Sequence, residues 1–425
     1  MHSCVLLVVK RNHAYSGDIL FLKLFAMNRW NFSKVILIGW LTPLVMSLYL
    51  PTFPALSSDF GVSLHSVQLT LTLFFVGNFL SQMFSGPLVD RHGYMRVLNV
   101  GIALCVLGSL LSAMATDFSL VLFGRLLQGM GAGSIQVGNM VQFRVLCPKE
   151  DLAKYASFLG VTNVAARSII PVFGGYILHY LGWQACFFTV ALLASSMWIW
   201  HWATLPENLP SILDSMPIQK VVSPWLSLLS ETRFMGIIAL SACTYASACA
   251  WTTASPILLR VNLGIGAIPY GWWMSLTASI YVLGAFLNGA LVKKVGEHKM
   301  LQMGLMLFVF FGAVLIGFWH FLGQSKLSLI MPISGIMLGI AFVFPNVYAL
   351  AFKDMPQSKV GTGSAIYGML RILAACLSSA FIAWAPKENQ SSLLLVVGFS
   401  MCMIAWLYLK YARGSRALPK NSGNT

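Results

Sequence analysis

Charge is scarce in this chain, and acidic charge is the scarcest. Of 425 residues 9% are charged, with 12 Asp+Glu against 27 Lys+Arg. A water-soluble protein of this size carries about 25%, so one or two ordinary soluble domains are excluded. The eight cysteines include no C-x-x-C pair and are scattered through apolar runs, which argues against a disulfide framework and against a cysteine metal site. Neither a nucleophile with a base nor a His/Asp cluster stands out, so no enzyme, metal or cofactor is expected. The acids themselves, Asp18, Asp59, Asp90, Asp117, Glu150, Asp151, Glu207, Asp214, Glu231, Glu297, Asp354 and Glu388, all map to loops or to the ends of apolar runs.

What the chain has is apolar length: 58% hydrophobic residues and a mean hydropathy of +0.77. A membrane span needs about 20 mainly apolar residues. Twelve stretches qualify, near 34–56, 66–88, 97–115, 118–142, 155–179, 183–204, 234–259, 269–292, 300–322, 327–352, 361–384 and 391–410. The fold class expected is therefore an all-α polytopic membrane protein with twelve transmembrane helices in two six-helix halves. The boundaries read as a cytoplasmic N-terminal segment 1–33, a first half 34–204, a cytoplasmic linker 205–233 carrying Pro206, Pro210, Pro217 and Pro224, a second half 234–410, and a tail 411–425. Residues 1–26 fit neither a cleavable signal nor a full span. Met27 opens a cytoplasmic start, MNRWNFSK, and points to an extended gene model.

The net charge of +15 is topological. Basic residues crowd the segments on one face of the spans, while the other face holds only Arg260, Lys326 and Lys387. The positive-inside rule then puts both termini in the cytoplasm of a bacterial inner membrane, and a nucleic-acid partner is not expected. A monomer in contact with lipid and with a small-molecule substrate is.

The chain repeats itself. Gly86–Leu98 aligns with Gly289–Leu301 at an offset of 203, with Gly86/Gly289, Leu88/Leu291, Val89/Val292, Gly93/Gly296 and Leu98/Leu301 identical. Two six-helix halves related by a parallel repeat form the architecture of transporters that rock about a midplane site.

At these residues the chain resembles the major facilitator superfamily, whose signature loop is matched by Gly86-x-Leu-x-Asp90-Arg91-x-Gly93. More narrowly it resembles the bicyclomycin-resistance (Bcr/CflA) branch of drug:proton antiporters. The residues concerned are Tyr49-Leu-Pro51, Val67-Gln68-Leu69-Thr70, Arg125-Leu-Leu-Gln128-Gly129-Met-Gly131, Gly174-Gly175-Tyr176, Ser255-Pro256 and Phe344-Pro345-Asn346. The resemblance implies efflux by alternating access, with Gly86, Asp90, Arg91 and Gly93 as a gating loop that meets Arg144 or the start of span 11. The branch usually has an acid two positions before the span 1 tyrosine, where this chain has Ser47.

That departure concerns proton coupling. A proton-driven pump usually keeps a carboxylate inside the bilayer, and this chain places arginines there instead. Arg125 lies in span 4, and Arg167 and Arg371 approach the middle of spans 5 and 11, 204 residues apart and so at nearly the same place in each half. Two permanent cations without a nearby acid call for a mobile anion, and guanidinium suits bidentate carboxylate or phosphate contacts. The expected substrate site is Arg125, Arg167, Arg371, Tyr49, Gln128 and Asn346. The expected function is secondary active efflux of a drug or small metabolite whose natural form is anionic, carboxylate-rich or siderophore-like. The alternatives are a proton-coupled multidrug pump of broad specificity and, in a different class, a transporter-like sensor or a membrane-embedded enzyme.

Overall fold

The structure, a computed structural model, describes residues 29–147, 152–204, 227–353, 355–385 and 391–416. Among these residues no strand occurs, and the helices are α1 (Arg29–Ser47), α2 (Phe53–Phe60), α3 (Leu64–His92), α4 (Tyr94–Ala113), α5 (Phe118–Leu146), α6 (Leu152–Leu181) and α7 (Trp183–Thr204), followed by α8 (Thr232–Ser255), α9 (Ala267–Val295), α10 (Glu297–Phe321), α11 (Lys326–Phe352), α12 (Gln357–Trp384) and α13 (Ser392–Arg416). Ten apolar runs among the described residues are long enough to cross a membrane, and Ser392–Tyr408 is a shorter one. Side chains such as Leu192, Ile199 and Trp202 are exposed on the outside of the bundle, as a lipid-facing surface requires.

The first span of each half is broken, which hydropathy did not reveal. The stretch expected at 34–56 is α1, a 3₁₀ turn at Leu50–Thr52, and α2. Proline ends α1, because the Pro51 ring clashes with the carbonyl four residues earlier, which is Ser47. The stretch expected to end at 259 continues instead as a π-helical turn, Pro256–Asn262, again opened by a proline.

The repeat seen in the sequence is exact in the backbone. Helices α3 and α9 begin at Leu64 and Ala267 and end at His92 and Val295, while α4 and α10 begin at Tyr94 and Glu297, each pair 203 apart. The hinges between them need glycine: Gly61 and Gly264 both sit at φ +61°, and Gly93 and Gly296 at +81° and +88°.

Small residues draw the helices together within each half. A Cβ on Gly129 of α5 would lie 2.1 Å from the Phe74 carbonyl oxygen of α3, and one on Gly339 of α11 would lie 2.8 Å from that of Gly304 in α10. The halves meet through α3 against α12 and α6 against α9. In each contact the second helix of one half touches the fifth helix of the other, as a pseudo-two-fold axis demands.

The two ends of the bundle differ. The near side carries the start of α1, the end of α13 and the Asp90–Arg91 segment; the far side carries α2 and the π turn. Hydrogen bonds joining the halves cluster toward the far side. Gln68 Nε2 donates to the Thr253 carbonyl at 3.0 Å, the Thr72 and Ser379 hydroxyls lie 3.0 Å apart, and Arg260 donates to the Pro51 carbonyl. Backbones seal it further: a Cβ on Gly271 would lie 2.6 Å from the Pro171 oxygen, and one on Gly175 2.5 Å from that of Ala267.

Candidate functional site

The six residues expected to bind substrate fall into three environments. Tyr49, Arg125 and Gln128 come together in one knot inside the first half, each almost fully buried. Its origin is the break in the first span. When α1 stops at Ser47 its last carbonyls lose their helical partners, and Arg125 Nη1 donates to the Val45 carbonyl at 3.0 Å. The same nitrogen donates to Gln128 Oε1, and Gln128 Nε2 donates to Ser109 Oγ at 2.7 Å. The guanidinium lies 4.0 Å from the Tyr49 ring centroid and 4.7 Å from that of Phe74, and the Tyr49 hydroxyl reaches Thr70 Oγ1 at 3.1 Å. This arrangement caps a helix and ties α1, α3, α4 and α5 together.

Asn346 stands apart. It is 1% exposed, and its amide donates to Asn288 Oδ1 at 2.6 Å and to the Phe342 carbonyl at 2.7 Å, joining α11 to α9.

Arg167 and Arg371 form the third environment. Each sits near the middle of its helix, α6 and α12. The Arg371 guanidinium is held by aromatic rings of the second half, with centroids at 4.4 Å for Tyr245, 4.1 Å for Phe344 and 5.4 Å for Tyr367. Tyr281 adds a fourth wall, its ring 6.2 Å from that of Phe344. Tyr367 is fixed by its hydroxyl, 3.0 Å from Ser241 Oγ. Arg167 comes from the first half and is exposed. Tyr245, Cys249 and Tyr281 of the second half lie within the electrostatic reach of both arginines. Among the described residues neither arginine has an ion pair, and Arg371 Nε has no hydrogen-bond acceptor.

Rings stacked on a guanidinium satisfy its faces and leave its in-plane N–H groups free. An acceptor in that plane, such as a carboxylate or phosphate, completes the arrangement. Among the described residues the acids Asp59, Asp117, Glu231 and Glu297 lie at helix ends, and none enters this site. Sequence reasoning did not pick out Tyr281, Phe344 and Tyr367 as ring walls. Tyr367 was within reach of it, since it precedes Arg371 by four residues and so shares its helix face.

Of the gating residues, Gly86 borders open space, Gly93 supplies the positive φ between α3 and α4, and Arg91 and Arg144 are exposed on the near side. The side chain of Asp90 lies outside the described residues. The second half has an ion pair on the same side: Glu297, at the start of α10, meets Lys353, just past α11, at 3.7 Å. It is not the repeat partner of the Asp90 contact expected from the sequence, because Asp90 lies on α3, whose equivalent is α9, and the residue 203 positions on is Lys293.

Residues 35–379 match the model of the Major Facilitator Superfamily. A bicyclomycin resistance protein homolog of Haemophilus influenzae is 24% identical over 90% of this chain and 95% of its own length. The MFS-type transporter YdgK of Bacillus subtilis is 26% identical over 80% and 85%, and the multidrug resistance protein MdtL of Salmonella paratyphi A is 24% identical over 88% and 92%. Among solved structures, the peptide transporter POT in complex with sulfate superposes with a TM-score of 0.75 at 14% identity, covering 91% of this chain and 95% of that one. The D-xylose–proton symporter does so with a TM-score of 0.72 at 14%, covering 93% and 98%.

Proposed function

The chain belongs to the major facilitator superfamily, and on that premise we propose that it exports a small organic anion by alternating access, with Arg167 and Arg371 as the substrate clamp. That it is a multi-pass membrane transporter of a small molecule, and not an enzyme, follows from the family itself. The finer statements are our own. The observation that carries the anionic substrate is the ring-walled Arg371, whose Nε has no acceptor, with Arg167 of the other half within electrostatic reach of the same tyrosines and no carboxylate at the site among the described residues. A hydrophobic cation would meet repulsion there. Export is favoured by the relatives, two of which are named for resistance to bicyclomycin and to multiple drugs. The charge asymmetry favours an inner membrane with the near side cytoplasmic, and we assign Asp90 and Arg144 to a near-side latch from the match of Gly86-x-Leu-x-Asp90-Arg91-x-Gly93 to the superfamily's signature loop.

The four aromatic walls support a second reading, a broad-specificity pump for flat apolar drugs. Its proton-coupled form has no mid-span acid among the described residues.

One binding experiment separates the two. Purified protein is titrated with citrate, benzoate and tetraphenylphosphonium, as wild type, Arg167→Gln and Arg371→Gln. A charge-assisted contact is worth about 1.5–3 kcal/mol, so each variant is expected to bind the anions roughly 10- to 150-fold more weakly at about 1.4 kcal/mol per decade. Arg371→Lys keeps the charge, loses the planar fork, and is expected to be impaired as well. Equal anion affinity in all three proteins ends the clamp, and preferential binding of the phosphonium supports the multidrug reading.

A further inference from the structure

We propose that Arg260 is both the far-side latch of this transporter and the last anion-binding group on the exit path, holding the Pro51 carbonyl while that side is closed and the departing substrate once it opens. The inference rests on the anionic-substrate reading above.

The argument starts from the two broken spans. Proline opens the π turn in one half and breaks α1 in the other, and the two irregular segments lie against each other across the interface. Non-helical backbone at membrane depth must find polar partners or line a water-filled path. The 3₁₀ turn answers part of this internally, with Thr52 N and Thr52 Oγ1 both reaching the Tyr49 carbonyl, at 2.8 and 2.7 Å. The Pro51 carbonyl is answered from the opposite half, by Arg260 Nη1.

Arg260 has nothing equivalent on its own side. Its Nε is buried without an acceptor, and the group acting on it electrostatically is the Tyr270 phenol rather than a carboxylate. Asp59 on α2, a far-side acid, is engaged by the Trp183 indole N–H at 2.6 Å. The hydrogen bond to Pro51 therefore exists only while the halves are together at this end. When they part, the guanidinium keeps its charge and loses its acceptor, at the mouth through which the solute leaves. Arg260 lies on the contact between the halves. The other far-side bridges, Gln68 to Thr253 and Thr72 to Ser379, are neutral and hold no charge for an anion to claim. An anion released from Arg167 and Arg371 thus meets the Arg260 cation on its way out, and its arrival can offset the cost of breaking the latch.

Hydrogen exchange and calorimetry test this on full-length protein in lipid nanodiscs, with citrate as the probe anion. In Arg260→Gln, exchange is expected to rise about 10-fold in segments 50–64 and 256–268 while α10 and α11 stay unchanged. Gly271→Val forces the far side apart, since its added carbons meet the Pro171 backbone. It should show a second citrate event by calorimetry that is lost in Gly271→Val/Arg260→Gln. Unchanged exchange in Arg260→Gln overturns the proposal, as does citrate binding to Gly271→Val that ignores Arg260. If Gly271→Val does not fold, Gly175→Ala, which meets the Ala267 backbone, replaces it. Failure of the anionic reading looks different, because citrate then binds neither wild type nor any variant, whatever the exchange pattern.

Discussion

Arg125 and Arg371 are two answers to one problem, a permanent cation inside an apolar bundle. Both are packed against a pair of aromatic rings, Tyr49 and Phe74 at 4.0 and 4.7 Å for the first, Tyr245 and Phe344 at 4.4 and 4.1 Å for the second. They differ in access to solvent. Arg125 gives its Nη1 to a helix-end carbonyl and to Gln128, and although its Nε and Nη2 lack acceptors it is sealed from solvent. Arg371 is only half-buried and has no acid beside it. Identical chemistry thus serves as a rivet in one half and as a ligand-ready group in the other, and what separates them is burial together with the helix-end carbonyl that Arg125 holds.

The contrast is broken hardest at the rivet. Arg125→Ala orphans the Val45 carbonyl and Gln128 Oε1, at about 1–3 kcal/mol for each buried acceptor, and removes the cation from between two rings. A large fall in melting temperature is expected, whereas Arg371→Ala should melt close to wild type; parallel melting curves for the two variants would erase the distinction. Gly129→Ala comes next. Its methyl would overlap the Phe74 backbone, which cannot yield as a side chain can, and overpacking of this kind costs about 1–3 kcal/mol. Stability should drop while citrate affinity in the folded fraction stays the same. The smallest effect sharpens the comparison from the other side. Tyr367→Phe removes the hydroxyl held by Ser241 but keeps the ring, a loss of about 0.5–1.5 kcal/mol. Melting temperature should fall slightly and anion binding should weaken by no more than roughly 12-fold at about 1.4 kcal/mol per decade, and Ser241→Ala should match it.

Much of the architecture was legible in the chain because it depends on local signals. The repeat at 203, the glycine hinges and the apolar lengths locate the helices to within a few residues. The mid-helix arginines were visible as well, since few charges occur in apolar runs. Their division of labour was not. Whether Arg125 or Arg371 is open to a solute depends on the Val45 carbonyl near the end of α1, which holds Arg125 in a sealed interior, and on rings contributed by α8 and α11 from far along the chain. Asn346 shows the same limit: its side chain reads as a cavity group in the sequence and is spent on Asn288 in the structure. The π turn escaped notice because hydropathy does not register helical pitch.

The far-side seal is made of hydroxyls, an amide and a guanidinium on a carbonyl, with no carboxylate among these contacts. None of these groups changes its protonation between acid and mild alkali, and dipolar contacts are weakly screened by electrolyte. If that side faces outward, as the charge distribution predicts, the cell meets a medium whose acidity and salinity it does not control with a door that neither can unlock. On the near side the exposed Glu297–Lys353 ion pair lies within the second half and does not join the halves; if that side faces the cytosol, its salt sensitivity meets a medium held constant.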